Sequence, residues 1–273
     1  MIRLRLAVLL CALSLGCANA YNYLDPEGPR YTGGAGVPPE GGAPNRAIRV
    51  VTFNILYARQ VDLAVAKLLA SPPLRHPDVL CLQEMDAPGA DSVARRLRMN
   101  YVYYPASIHP KTDRDFGNAI LSPWPIEETW KTILPHKSRI VSQGRAAVGA
   151  RVRVAGRLVT VYSVHLGSPI GISGGSRRGQ AKAIVEDARA RPDPVIIAGD
   201  FNSKGVGEVF TEAGYAWITE RVGPTTKGFS FDHVFVRGLT PAPPPAFGVE
   251  QGFGDVSDHR PVWAVLAATP PAP

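Results

Sequence analysis

Apolar residues recur along this chain in two periods. Short apolar or β-branched runs occupy 48–53, 78–83, 119–121, 146–154, 158–164, 195–198, 231–236 and 261–266. Runs of that length, bounded by polar or turn residues, predict strands. Between them, 61–69 sets Leu63, Val65, Leu68 and Leu69 at helical spacing and stops at Pro72-Pro73. Residues 90–97 read as an amphipathic helix and 177–190 as a further helix. Ala155-Gly156 predicts a hairpin turn between two strands. Alternating strands and helices with hairpins imply a layered α/β domain with mixed sheets.

The ends break this pattern. Residues 1–20 open with Arg3 and Arg5, run apolar over 6–15 and close on Ala18-Asn19-Ala20. That is the layout of a secretory signal peptide, and the apolar run is too short for a permanent span. Export is therefore expected, to the medium or the periplasm. Leu13-Ser14-Leu15-Gly16-Cys17 partly resembles a lipoprotein box, but Ser14 stands where an aliphatic residue is usual. Ala18 and Ala20 fit the small-residue rule, so cleavage after Ala20 is favoured, and membrane attachment is expected only if Cys17 carries lipid. Residues 21–46, rich in Gly and Pro, are expected to form a flexible leader, and 269–273 a disordered tail. No second composition break divides 47–268, which reads as one domain.

Loss of the signal removes Cys11 and Cys17, leaving Cys81 in the apolar run Val79-Leu80-Cys81-Leu82. One cysteine cannot form an internal disulfide, so the core must hold the fold. Hydrophobic residues make up 45% of the 273, which makes a sizeable core available. The formal charge of +7 suits a polyanionic or phosphate-bearing substrate, although the positive residues are scattered.

Polar clusters stand at the strand ends: Asn54, Gln83-Glu84, His165, Asp200-Phe201-Asn202, and Ser257-Asp258-His259 just before the last strand, while Asp232 begins the penultimate one. Packing accounts for apolar runs but not for repeated carboxylates, amides and imidazoles at strand edges, where α/β folds collect their ligand sites. Glu84, Asp200, Asp258, Asn54 and Asn202 offer the oxygen ligands that hard divalent cations take. His165 and His259 could donate to phosphate oxygens or move protons, and Asp232 is the candidate carboxylate to fix the His259 tautomer. Arg145, opening a strand, is placed to reach a phosphate. Each has a plainer reading: Asn54 as a turn residue, Asp200 to Asn202 as an Asx turn, Asp232 as the partner of Arg260 or Lys227. Their conjunction in one order is what the plainer readings leave unexplained. His233 is read as structural because alternation turns it to the opposite face from Asp232. His76, His109 and His136 lie near prolines in expected loops and are given no role.

Val51-Thr52-Phe53-Asn54, Leu82-Gln83-Glu84, Gly117-Asn118-Ala119-Ile120-Leu121, Val164-His165, Gly199-Asp200-Phe201-Asn202, Phe231-Asp232-His233 and Ser257-Asp258-His259 together resemble the endonuclease/exonuclease/phosphatase superfamily, in its motif order and over about 48–266. The resemblance implies a four-layer α/β sandwich, two packed mixed β-sheets flanked by helices. It makes Glu84 the principal metal ligand, supported by Asn54 and Asp258, with Mg²⁺ expected and Mn²⁺ or Ca²⁺ as alternatives. It assigns Asp200 to orienting or deprotonating water, Asn202 to a phosphate or second metal, His259 with Asp232 to the scissile phosphate, and His165 to the second histidine of the deoxyribonuclease branch. Arg145 and Asn118 are implied as substrate phosphate contacts. One departure is that Asp113-Arg114-Asp115-Phe116 precedes Gly117 where several nucleases carry a Tyr; Asp115 is a candidate partner for His165. The expected activity is metal-dependent phosphoester hydrolysis by a monomer without an obligate protein partner, most simply a phosphodiesterase or nuclease acting on nucleic acid. The alternative is a phosphomonoesterase or a sphingomyelinase- or inositol-phosphatase-like hydrolase.

Overall fold

The computed structural model describes residues 20–39 and 46–267. The signal segment through residue 19, with Cys11 and Cys17, and the expected tail lie outside the described residues. The strands are β1 (Tyr31–Gly34), β2 (Ile48–Asn54), β3 (Val79–Met85), β4 (Asn100–His109), β5 (Arg114–Ser122), β6 (Ile126–Leu134), β7 (Arg145–Val154), β8 (Arg157–His165), β9 (Val195–Asp200), β10 (Ala216–Trp217), β11 (Asp232–Arg237), β12 (Thr240–Pro241), β13 (Phe247–Val249) and β14 (Val262–Ala267). The helices are α1 (Val61–Ala70), α2 (Ala87–Leu97), α3 (Gly174–Arg189) and α4 (Gly207–Glu212).

The strands build two mixed sheets. One runs β1-β4-β5-β3-β2-β14-β12 with β13 on β14; the other runs β10-β11-β9-β8-β7-β6. β2 with β3 and β8 with β9 are the parallel pairs, one near the middle of each sheet. Side-chain alternation sorts each strand into two faces. Val50 of β2, Cys81 of β3, Ile120 of β5, Val148 of β7, Val161 of β8, Ala198 of β9 and Val234 of β11 share the core between the sheets. Phe53, Leu80 and Leu82 instead pack outward on Val65 and Leu68 of α1 and Val93 of α2. Tyr162, Val164, Ile197 and Phe235 pack outward on Ala181 and Ile184 of α3 and Phe210 of α4. The layers are helix, sheet, sheet, helix, as the resemblance implied. Cys81 is buried between the sheets, and burial pushes its thiol pKa up, as befits an apolar filler rather than a nucleophile.

Two long strands have no counterpart in the apolar pattern. β4 carries Pro105, which ordinarily argues against a strand; the register slips between Pro105 and Ser107, so the missing N–H falls at a bulge. β6 lies at the open edge of its sheet and is half exposed, so it carries Glu127, Glu128 and Lys131 instead of a clean alternation.

The flexible-leader expectation over 21–46 is corrected for 21–39. β1 pairs with β4 from Tyr31 opposite Tyr103 to Gly34 opposite Asn100. The buried Lys131 ammonium donates to the Tyr23 and Gly28 carbonyls. Asn22 spans the two sheets: it bridges to Ser107 of β4, donates to Ser142 O at 2.9 Å and accepts from Gly144 N at 2.6 Å, just before Arg145. Gly34 and Gly36 serve close approaches in this strap, since a Cβ would stand 2.0 Å from Met99 O and 2.1 Å from Asn100 Nδ2. Asn22→Ala removes the side-chain bonds to Ser142 O and from Gly144 N and leaves the Gly144 N–H unserved, so it should destabilise by about 2 kcal/mol and lower Tm by roughly 4–8 °C in a thermal melt. An unchanged Tm would mean that the strap carries no stability.

Candidate active site

Strand phase delivers most of the site. His165 follows Val161 and Ser163 on the inner face of β8, Asp200 follows Ile196 and Ala198 on β9, and Asp232 precedes Val234 on β11. Their strands are neighbours, with His165 opposite Asp200 and Asp200 opposite Asp232. Gly199 permits that proximity, since a Cβ there would stand 1.9 Å from Val164 O. Asn54 ends β2 on the facing sheet, in phase with Val50 and Thr52.

Glu84 needs a further device. Alternation would place it with Leu80 and Leu82, under the helices. Between Leu82 and Met85 the register with β5 shifts by one residue, and Glu84 takes φ 58°. This bulge turns Glu84 inward while Met85 returns to the helix side.

Asp200 is the hub. Its Oδ2 accepts from Asn54 Nδ2 at 3.1 Å and lies 3.4 Å from His165 Nε2 and 3.7 Å from His259 Nε2; its Oδ1 accepts from Asn202 N at 2.8 Å. Asn54 Nδ2 also donates to Glu84 Oε1 at 3.1 Å, so one amide joins both carboxylates. His259 Nδ1 lies 2.8 Å from Asp232 Oδ2. Ser257 holds this arrangement to β2, donating to Asn54 O at 2.6 Å and accepting from His259 N at 3.1 Å. Asn202, at φ 51°, donates to Leu166 O and to Asp200.

Burial sets the charges. It pushes the Asp200 pKa up to about 7, with His259 opposing the rise and Asp232 adding to it. Burial alone would lower His259, but the Asp232 and Asp200 carboxylates outweigh it and push its pKa up to about 10. Burial, with Arg145 and His259 nearby, holds His165 well below its usual value and neutral. Folded His259 thus keeps its proton at pH values where the unfolded imidazole, near 6.5, has lost it. That stability is full below about 6.5 and is lost as pH rises through about 10. With chelator present, the urea midpoint of the protein should fall across this window, and His259→Gln should lack that part of the decline. A midpoint independent of pH there would contradict the ion pair.

A cation has two candidate positions. Asp200, Asp232 and His259 place one ligand atom each within 4.8 Å of one another. A cation among them would have to displace a proton of the imidazolium that these carboxylates keep charged. Glu84 Oε2 is buried with no hydrogen-bond partner, as is Asp232 Oδ1, but Glu84 holds no imidazolium proton that a cation would have to displace. Such an orphaned carboxylate oxygen fits a hard cation without displacing anything. Asn54 presents its amide nitrogen, not its oxygen, to Glu84, so here it orients that carboxylate. Asp258 lies exposed at the rim, paired with Lys227 at 3.5 Å, and is an electrostatic neighbour of Glu84 and His259.

The remaining expectations divide. Arg145 reaches the site: its guanidinium lies 4.7 Å over the Phe116 ring, Nη1 is buried without a partner, and Glu84 and Asp200 are its charged neighbours. Asn118 Nδ2 donates to Ala146 O at 2.8 Å and Ser163 O at 3.3 Å, so its donors join the two sheets and are not available to a phosphate. Asp115 does not serve His165; it accepts from the Tyr23 hydroxyl at 2.8 Å, and the carboxylate beside His165 is Asp200. His109 ends β4 rather than lying in a loop. Its ring packs at a tilt 4.6 Å from Tyr57 and 5.1 Å from Phe116, and Phe116 in turn lies 5.6 Å from His165. Asp232 pairs with neither Arg260 nor Lys227. His233 turns outward as alternation required and meets Ser230 O and Thr219.

The residue missed in the sequence is Tyr57. Leu56, Tyr57 and Ala58 have φ of 50°, 58° and 50°, three successive left-handed non-glycine residues. Such a conformation costs roughly 1–2 kcal/mol per residue. Asn54 Oδ1, accepting from Leu56 N at 3.1 Å, helps to hold the turn. Only the strained turn distinguishes Tyr57, and nothing in residue pattern announces it.

Residues 51–259 match the model of the Endonuclease/Exonuclease/phosphatase family. The chain belongs to that family. The coarse chemistry of the endonuclease/exonuclease/phosphatase family, hydrolysis of phosphoester bonds, comes with membership. No curated protein matches the chain. Among solved structures, an endonuclease/exonuclease/phosphatase from Beutenbergia cavernae is similar at TM-score 0.64 and 22% identity, over 81% of this chain and 72% of that one. The human Nocturnin catalytic domain with bound sulfate is similar at TM-score 0.62 and 18% identity, over 87% and 96%. D. rerio TDP2 complexed with a single-strand DNA product is similar at TM-score 0.60 and 18% identity, over 81% and 98%. At these identities the likeness concerns the fold of the family, not the substrate.

Proposed function

We propose that the protein is an exported, divalent-cation-dependent phosphodiesterase that cleaves nucleic acid by in-line attack of water on phosphorus. The observation that carries the reading is the convergence of Glu84, Asp200 and the Asp232–His259 pair from both sheets into one cluster, with the buried Glu84 Oε2 unpartnered. Glu84 would hold Mg²⁺, or Mn²⁺ or Ca²⁺ in its place, with Asn54 orienting it and Asp258 adding negative charge at the rim. When bound, the cation supplies Lewis-acid neutralisation of phosphate charge.

The chain's own groups do the rest. Asp200, with a pKa near 7, can take a proton from water near neutral pH. Asn202 N and the Asn54 amide hold its two oxygens in place. Protonated His259, oriented by Asp232, presents a positive donor on the same side as Asp200 Oδ2 and stabilises the charge gathering on the phosphoryl group. Arg145, with a free buried Nη1, is a second cation for phosphate. Neutral His165 supports Asp200.

The formal charge, +7 over the full sequence and +5 once Arg3 and Arg5 leave with the signal, together with His165 and Arg145, favours nucleic acid over a small monoester or a lipid headgroup. Purified protein should cleave DNA or RNA with Mg²⁺ and not with EDTA, leaving phosphomonoesters and sphingomyelin intact. Inorganic phosphate released from monoesters, with polynucleotides untouched, would favour the phosphatase reading. The signal-like layout of residues 1–20 supports export; intact-mass analysis of the protein recovered outside the cytoplasm should give a chain beginning at Tyr21, whereas a lipid adduct on Cys17 would indicate a membrane anchor.

A further inference from the structure

We propose that Tyr57 is a substrate contact, its hydroxyl donating a hydrogen bond to a non-bridging oxygen of the phosphoester. The inference rests on the phosphoester reading above and deepens it by one residue.

Three features carry it. The first is the backbone: Leu56, Tyr57 and Ala58 sit consecutively at left-handed φ, immediately after the strand that delivers Asn54. Strain of this kind persists where surrounding structure holds it, and it concentrates at ligand-binding positions. The second is the ring. Tyr57 packs 4.6 Å from His109 and 5.9 Å from Phe116, centroid to centroid. Phe116 is itself buried under the Arg145 guanidinium and against His165. The half-buried phenol is therefore fixed on a platform that it shares with two residues of the pocket, and rigid aromatic donors recognise ligands at low entropic cost. The third is the hydroxyl. Tyr23, Tyr103, Tyr104 and Tyr162 engage theirs within the fold, and the unpartnered hydroxyl of buried Tyr215 lies beside Arg237 and Arg189, away from the site. The Tyr57 hydroxyl has no hydrogen-bond partner among the described residues, and its charged neighbours are Glu84, Arg145, Asp258 and Arg59. Burial and Glu84 raise its pKa, which keeps the proton on the oxygen and makes it a donor.

This also answers the departure seen in the sequence. Phe116 stands just ahead of Gly117 without a hydroxyl, and Tyr57 brings one to the adjoining ring from a different loop.

The test separates hydroxyl from ring. Tyr57→Phe keeps the ring packing and removes only a group that the fold does not use, so its Tm should match wild type. Its kcat/KM on bis(4-nitrophenyl) phosphate with Mg²⁺ should fall about tenfold, the loss of one hydrogen bond to a charged oxygen. In EDTA, the rise in Tm that inorganic phosphate gives the wild type should shrink in parallel. Tyr57→Phe equal to wild type in both measurements overturns the proposal while leaving the phosphoester reading intact. Wild type that neither hydrolyses a phosphoester nor gains Tm from phosphate overturns the reading itself, and this inference with it.

Discussion

His259→Asn is expected to lower turnover by about a hundredfold or more, the usual scale for losing a positioned acid or charge-stabilising donor. The imidazolium is the pocket's one histidine held in its charged form, pushed up to about 10 by two buried carboxylates. Asn cannot carry that charge. The change also strands Asp232, which is fully buried with Oδ1 already unpartnered. Breaking a buried pair from one side costs about 3–5 kcal/mol, so the variant should be assayed well below its lowered Tm. Asp232→Asn tests the same unit more gently. It removes the carboxylate that keeps His259 charged and replaces it with a neutral group of similar shape, and turnover should fall by a similar factor. Because the two residues act as one device, the double variant should be scarcely worse than either single one. Multiplying losses, or near-normal rates in either single variant, would show that His259 does not act through Asp232.

Glu84→Gln should also cost about a hundredfold or more in turnover, for a different reason. Here activity and stability are expected to move in opposite directions. Burial raises the Glu84 pKa, with Asn54 and Arg145 offsetting the rise, so its charge is a burden on the cation-free fold. At neutral pH without cation, Glu84→Gln should be at least as stable as wild type. With Mg²⁺ at a hundred times its Kd, wild type should gain about 2.7 kcal/mol and the variant almost none. A variant that gains as much as wild type would place the cation elsewhere, among Asp200, Asp232 and His259.

How much of this the sequence disclosed follows from what fixes each residue. Asp200, Asp232 and His165 lie in phase with the apolar residues of their own strands, so the pattern that predicts the strand also aims the side chain. His233 was assigned outward by the same rule. Glu84 breaks the rule, since its direction depends on a bulge that no alternation encodes; its place came from the motif around it. The Asp115 expectation failed because adjacency in sequence says nothing about which carboxylate a neighbouring strand brings to His165. Asn118 was grouped with phosphate contacts, although its amide serves carbonyls of the opposite sheet, a demand visible only once the sheets are packed. The strap over 20–34 was hidden by its composition, because glycine and proline suit a loose linker and an extended edge strand equally well. Tyr57 escaped for the simplest reason: one aromatic residue after a strand is unremarkable until its backbone proves left-handed.

The central claim is that one pocket joins a cation at Glu84 to water activation at Asp200. Its most direct test is turnover of bis(4-nitrophenyl) phosphate at pH 7.5 by wild type and Asp200→Asn, each with Mg²⁺ and with EDTA. Hydrolysis should occur only in wild type with Mg²⁺, and Asp200→Asn, still folded, should lose at least a hundredfold. Equal rates for the two proteins, or a wild-type rate indifferent to EDTA, would contradict the account.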